Sequence, residues 1–171
     1  MTTASWVFGY GSLIWRQDFP FIDARPATIH GWARRFWQGS HDHRGVADNP
    51  GRVVTLVEAP GEQCAGRAFL VEAGAFEHLD YREKNGYARY DVDIRFENDS
   101  ATGVTYVAPT DNVAFLGDAP LADMAAQIRR CRGESGHNVD YVLELARALR
   151  ALGIDDDHVF ELEALLVPAV R

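Results

Sequence analysis

The sequence predicts an α+β fold, a curved or barrel-like sheet with helices packed on one side of it. Three observations predict it. Short runs of β-branched and aromatic residues fill the first two thirds of the chain, and helical spacing fills the last third. No repeat, low-complexity tract or long linker divides the 171 residues, so residues 1–171 are read as a single domain large enough for its own core.

The elements follow from the pattern in order. Strands are predicted at Trp6–Gly9, Ala27–Trp37, Arg52–Glu58, Gly66–Glu72, Tyr90–Glu97 and Gly103–Ala108. Tyr90 to Phe96 alternates strictly, which predicts one wet face. Asn49-Pro50-Gly51, Pro60-Gly61 and Asn98-Asp99-Ser100 are predicted to turn the chain between strands. Ala73–Glu83 has helical spacing, with Phe76, Leu79, Asp80 and Glu83 along related faces. Leu121–Arg132 is predicted as a second helix. Asn138–Leu152 is a third, with Val142, Leu145, Leu149 and Leu152 on one face, Asn138 as N-cap and Gly153 as stop. A last helix starts near Asp155–Asp157, where acids suit the helix dipole.

Composition narrows the function. Apolar residues make up 47% and charged residues 25%, an ordinary balance for a globular protein. A formal net charge of -8 argues against nucleic acid and anionic membranes, which both reward a basic face. No apolar run approaches the ~18 residues of a membrane span. The first residues have no basic, signal-like stretch, so the cytoplasm is the expected location. Cys64 and Cys131 are expected as free thiols, without metal-binding spacing. The oligomeric state is not legible, although an acidic chain of this size is compatible with a monomer.

Four segments carry candidate chemistry. Tyr10, Gly11, Ser12 and Leu13 follow an apolar strand. Gly11 leaves no Cβ in a ligand's way, Ser12 adds a hydroxyl, and the turn exposes backbone N–H groups that can hold a carboxylate or an oxyanion. A plain strand-end turn is the bland alternative. The segment lacks the third glycine of a dinucleotide fingerprint, and Ser12 is not in a nucleophile elbow, because Tyr10 and Ile14 occupy the glycine positions. His41-Asp42-His43-Arg44-Gly45 resembles a metal or acid–base cluster, but no spaced further ligand accompanies it, so a polar loop is expected and no metal site. Arg52 at a strand mouth can clamp a carboxylate bidentately or serve as an ordinary ion-pair partner. Glu83 ends a helix, where the dipole disfavours a carboxylate. Pointing into the sheet, it would have a raised pKa and suit proton transfer; flanked by Arg82 and Lys84, it is equally a solvated residue.

In order along the chain, these blocks resemble the ChaC-type γ-glutamylcyclotransferases, which act on glutathione. The resemblance runs through Phe8-Gly9-Tyr10-Gly11-Ser12-Leu13-Ile14-Trp15, then Gly31-Trp32 and Phe36 to Gly45. It continues with Pro50-Gly51-Arg52-Val53-Val54-Thr55-Leu56, Leu79-Asp80-Tyr81-Arg82-Glu83, Ser135 to Tyr141, and Leu152 to Val159. Lys84-Asn85-Gly86-Tyr87 is a shorter connection than the family carries after its Arg-Glu pair. The resemblance implies a γ-glutamylcyclotransferase-like fold: a mixed sheet forming a small barrel, with helices around it and a helical C-terminal third. It implies that Tyr10–Leu13 grips the γ-glutamyl group and that Glu83 is the acid–base residue. The implied reaction is intramolecular cyclisation of glutathione to 5-oxoproline and Cys-Gly, a lyase-type step needing no cofactor. Other γ-glutamyl amines or dipeptides are an alternative substrate class. A non-catalytic small-anion binder is the alternative outside enzymes.

Overall fold

In the computed structural model, which describes residues 3–82 and 87–167, five strands close into a barrel. They are β1 (Ala4–Gly9), β2 (Asp23–Ser40), β3 (Gly51–Glu72), β4 (Ala88–Arg95) and β5 (Ser100–Val107), in the order β1-β3-β2-β4-β5. The α+β class and the barrel are as expected. The chain divides into two compact units, Met1–Ala33 with Leu56–Asn112, and Arg34–Thr55 with Val113–Arg171.

In the first unit, β1 pairs antiparallel with β3, bringing Gly9 opposite Arg67, and parallel with β5, bringing Phe8 opposite Thr105. Flanked on both edges, its apolar run is shielded, and Val7 and Phe8 are fully buried. Thr105 Oγ1 donates to the Phe8 carbonyl at 2.9 Å, so this buried hydroxyl is satisfied. α1 (Ala75–Arg82) places Ala75 and Leu79 in a core with Val7, Leu13, Phe19, Phe69, Val71 and Tyr106. Phe19 meets Phe69 edge-on at 5.6 Å. β4 has the predicted wet face: Val92 and Ile94 are buried while Asp91, Asp93 and Arg95 are exposed.

One prediction needs correction here. Arg52–Glu58 and Gly66–Glu72 are not separate strands but parts of the 22-residue β3. Pro60-Gly61 is absorbed within it: Gly61 takes φ +88, open to glycine, and Pro60 lies in an exposed stretch.

The second unit carries α2 (Leu121–Arg129), the short hairpin β6 (Arg132–Gly133) with β7 (Gly136–His137), α3 (Asn138–Ala151) and α4 (Asp157–Leu166). Met124, Ile128, Val142, Leu145, Leu149, Val159 and Leu162 are buried to 1% exposure or less, as the helical spacing requires. α2 stops short of its predicted end at Arg132, because Arg132 pairs with His137 and the Cys131 carbonyl accepts from Asn138 N. The N-cap of α3 is His137, whose Nδ1 accepts from Val139 N at 3.1 Å, not Asn138. Asn138 is fully buried and spends its amide on the Arg52 backbone, accepting from Arg52 N at 2.8 Å and donating to Arg52 O at 2.9 Å. Gly153 stops α3 as predicted. It takes φ +73, Ile154 N donates to Leu149 O and Gly153 N donates to Arg150 O. Among the described residues, no helix is long and apolar enough to cross a membrane.

Candidate active site

The Tyr10–Leu13 segment is a tight turn hung from the buried end of β1. Gly11 (φ -132, ψ -128) caps a short 3-10 turn, Ser12–Ile14, and its carbonyl accepts from Ile14 N at 3.0 Å. Ser12 O receives Trp15 N and Arg16 N. Gln17 Nε2 donates to both Leu13 O and Ile14 O at 2.8 Å, satisfying carbonyls at the turn's far end. Leu13 is 6% exposed and belongs to the core of this unit, so the turn is fastened by apolar burial as well as hydrogen bonds. Close packing at Gly9 makes the fold-back possible, since a Cβ there would lie 2.9 Å from Leu13 Cβ.

Tyr10 is the turn's polar anchor. It is 6% exposed, and its hydroxyl donates to the Tyr106 carbonyl. The Tyr106 side chain reaches α1 instead, where its hydroxyl donates to Asp80 Oδ1 at 2.7 Å. Arg89 Nε stands 3.2 Å from the same oxygen. Tyr10, Tyr106 and the last turn of α1 therefore belong to one connected polar group on a buried apolar floor. Glu83, the expected acid–base residue, lies outside the described residues.

Arg52 belongs to the second unit and is 6% exposed. Its Nε donates to Gln127 Oε1 at 2.7 Å, and its Nη1 donates to Phe36 O at 2.8 Å and Gly117 O at 3.0 Å. Burial lowers its pKa, and Asp118 acts in the opposite direction. A substrate carboxylate would have to use Nη2, the nitrogen outside these bonds.

His41–Gly45 forms a loop laced to the β6–β7 hairpin. Glu134 N and Ser135 N donate to Asp42 O and His43 O, both at 2.9 Å. His43 Nδ1 lies 2.8 Å from Ser135 Oγ, and Arg44 Nη1 donates to His137 O at 3.0 Å. Among the described residues, no group of three or more His, Cys, Asp or Glu is placed to hold a metal. Both cysteines are buried; burial pushes the Cys131 thiol up, and its Sγ donates to Pro50 O at 3.2 Å.

The family model described as ChaC-like protein matches residues 5–168. The chain belongs to the ChaC-like family. Among curated ChaC-like relatives, glutathione-specific gamma-glutamylcyclotransferase 1 of Danio rerio is 40% identical over 97% of this chain and 90% of its own. Gamma-glutamylcyclotransferase 2-3 of Arabidopsis thaliana is 44% identical over 93% of this chain and 86% of its own. A crystal structure of a yeast γ-glutamyl cyclotransferase specific to glutathione superposes with a TM-score of 0.89 at 28% identity, covering 96% of each chain.

Several residues that fasten these segments were not singled out from sequence. Tyr106, Arg89 and Gln17 in the first unit, and Gln127 in the second, act through partners that the sequence does not place beside them. Asp80 had a signal, its helical spacing four residues after Phe76. Tyr106 had only its position in an apolar strand.

Proposed function

We propose that the protein is a γ-glutamylcyclotransferase that converts glutathione to 5-oxoproline and Cys-Gly. The observation that carries this is the 40% identity, over 97% of the chain, with a zebrafish protein named for glutathione-specific cyclotransfer. The anchored Tyr10–Leu13 turn supports it, because the reaction asks for a rigid cradle more than for a strong nucleophile.

The chemistry is intramolecular. The α-amine and the γ-carbonyl belong to the same glutamyl residue, so the nucleophile is already tethered and its effective concentration is high once the chain is folded back. The α-ammonium, of pKa roughly 8, gives a proton to the Glu83 carboxylate. The amine nitrogen attacks the γ-carbonyl carbon, and the carbonyl electrons move to oxygen. Collapse of this intermediate re-forms the carbonyl and breaks the bond to the leaving nitrogen, which takes the proton from Glu83. The ring nitrogen, which entered with two hydrogens, gives its extra proton to the Glu83 carboxylate, which passes it to the departing amine, now an ammonium. The lactam and the ammonium leave, and Glu83 is again a carboxylate. In this scheme Tyr10, Gly11, Ser12 and Leu13 hold the γ-glutamyl group, and backbone N–H groups of Gly11–Leu13 face its oxyanion or its α-carboxylate.

A second reading has one specific observation in its favour. The Arabidopsis relative, at 44% identity, is named a γ-glutamylcyclotransferase without a stated substrate. Release of 5-oxoproline from glutathione and from γ-glutamyl-alanine separates the two. Glutathione specificity predicts a kcat/KM at least about tenfold higher for glutathione, the order of discrimination that pocket contacts supply. Equal values support the broader enzyme, and no product from either substrate leaves only a binding protein.

A further inference from the structure

We propose that Arg52 is the cation of a carboxylate-binding socket in the second unit, with its guanidinium held by neutral oxygens and its Nη2 open to a small-molecule carboxylate. This site stands apart from the cyclisation and does not depend on it. Arg52 lies at the start of β3 and is 6% exposed. Its backbone is fixed by Asn138, which accepts from Arg52 N at 2.8 Å and donates to Arg52 O at 2.9 Å. Its side chain is fixed as firmly. Nε donates to Gln127 Oε1 at 2.7 Å, and Gln127 Nε2 donates onward to Pro50 O at 2.8 Å, which orients that amide. Nη1 uses both its hydrogens, on Phe36 O at 2.8 Å and on Gly117 O at 3.0 Å. The two N–H groups of Nη2 remain. Among the described residues, Trp37 Nε1 is the buried side-chain polar atom without a partner. Nη2 is not sealed in that way, so it meets solvent.

These bonds by themselves suit a structural staple; the charge is what points to a ligand. A guanidinium stays charged at neutral pH, and a buried charge is costly unless an opposite charge meets it. Here all three acceptors are neutral. Burial lowers the Arg52 pKa, and Asp118 opposes this through its charge, not through a hydrogen bond. Asp118 is exposed, so water and salt screen its effect and the compensation is partial. An anion at Nη2 would make the charge-assisted bond that the neutral oxygens do not. Its class follows from the geometry. Nη2 alone offers no two-nitrogen fork, and the charge of Asp118 repels a dianion more than a monoanion. A carboxylate therefore suits the socket better than a phosphate. Because the guanidinium is already held, little freedom is lost when the carboxylate arrives.

The test follows the Arg52 Nε–H signal by NMR in the wild-type chain with isotope-labelled arginine, assigned by its loss in Arg52→Lys. The probes, at constant ionic strength, are N-acetylglycine, its neutral twin N-acetylglycinamide, and inorganic phosphate. N-acetylglycine is expected to give a saturable shift with a Kd of about 1–10 mM, the amide none, and phosphate weaker binding. Asp118→Asn keeps the acceptor that Ala119 N uses, and is expected to tighten N-acetylglycine about 2–5-fold. A pure staple would respond to none of these. No saturable shift, equal shifts with acid and amide, or unchanged affinity in Asp118→Asn overturns the proposal. Phosphate binding more tightly than N-acetylglycine overturns the carboxylate class. Adding N-acetylglycine to an assay of 5-oxoproline release from glutathione then distinguishes the source, and both results support the socket. A raised KM at constant kcat assigns it to a carboxylate of glutathione; unchanged kinetics assign it to a separate carboxylate. A chain that releases no 5-oxoproline removes the cyclotransferase reading and leaves the binding result standing.

Discussion

At Gly66 an added methyl would come to rest 2.3 Å from the Gly9 carbonyl oxygen and 3.1 Å from Phe8 Cζ. Backbone cannot yield there without parting β1 from β3, and Gly9 leads directly into the Tyr10 turn. Gly66→Ala is expected to cost about 1–3 kcal/mol by overpacking, read as a lower urea midpoint. An unchanged midpoint would mean that the two strands are less closely held than they stand. Nothing in the sequence marks Gly66, since its demand comes from a strand nearly sixty residues earlier. Gly11 was legible because its setting is local: an apolar run, a small residue, a hydroxyl. Asn138 shows the opposite failure. Its type and place suited an N-cap, but the buried Arg52 backbone offered two hydrogen bonds, and His137 took the cap.

Among the elements, α4 shows how a helix end is fixed by groups distant in sequence. Asp156 caps it, accepting from Val159 N at 3.1 Å through Oδ1, while Oδ2 pairs with the buried Arg34 at 2.8 Å. Two residues on, His158 Nε2 accepts from Phe36 N at 3.0 Å, a bond that only the neutral ring can make. Burial, with Arg35 nearby and Asp156 opposing, pushes the His158 pKa down to about 4. Unfolded, it returns to about 6.5. Between those values the unfolded chain binds a proton that the folded chain excludes. Stability is thus full above pH 6.5 and falls as the pH drops towards 4, by up to about 3 kcal/mol. Urea unfolding between pH 4 and 7 is expected to show this slope, and His158→Gln, which keeps an acceptor, is expected to flatten it. Equal slopes in the two proteins would contradict a neutral, half-buried His158. Periodicity alone revealed α3 and α4, because their buried faces repeat every three or four residues. The continuity of β3 was hidden for a local reason: Pro60-Gly61 has the chemistry of a turn, yet the strand runs through it.

For the molecule as a whole, the barrel outlasts much of its sequence: the yeast structure keeps a TM-score of 0.89 at 28% identity. The ordered blocks from Phe8 to Val159 made that fold legible where the patterning of strands and helices gave only its class. An acidic balance, formally -8, fits a protein whose partner is a small molecule held by shape and hydrogen bonds, since polyanions would be repelled. The central claim is that Glu83 moves the protons while the Tyr10–Leu13 turn holds a folded γ-glutamyl group. Release of 5-oxoproline from glutathione by wild type and by Glu83→Gln, at matched folded protein, tests it most directly. The account predicts a fall in turnover of about 10²–10⁴-fold with substrate binding retained. Near-normal 5-oxoproline release by Glu83→Gln would contradict it.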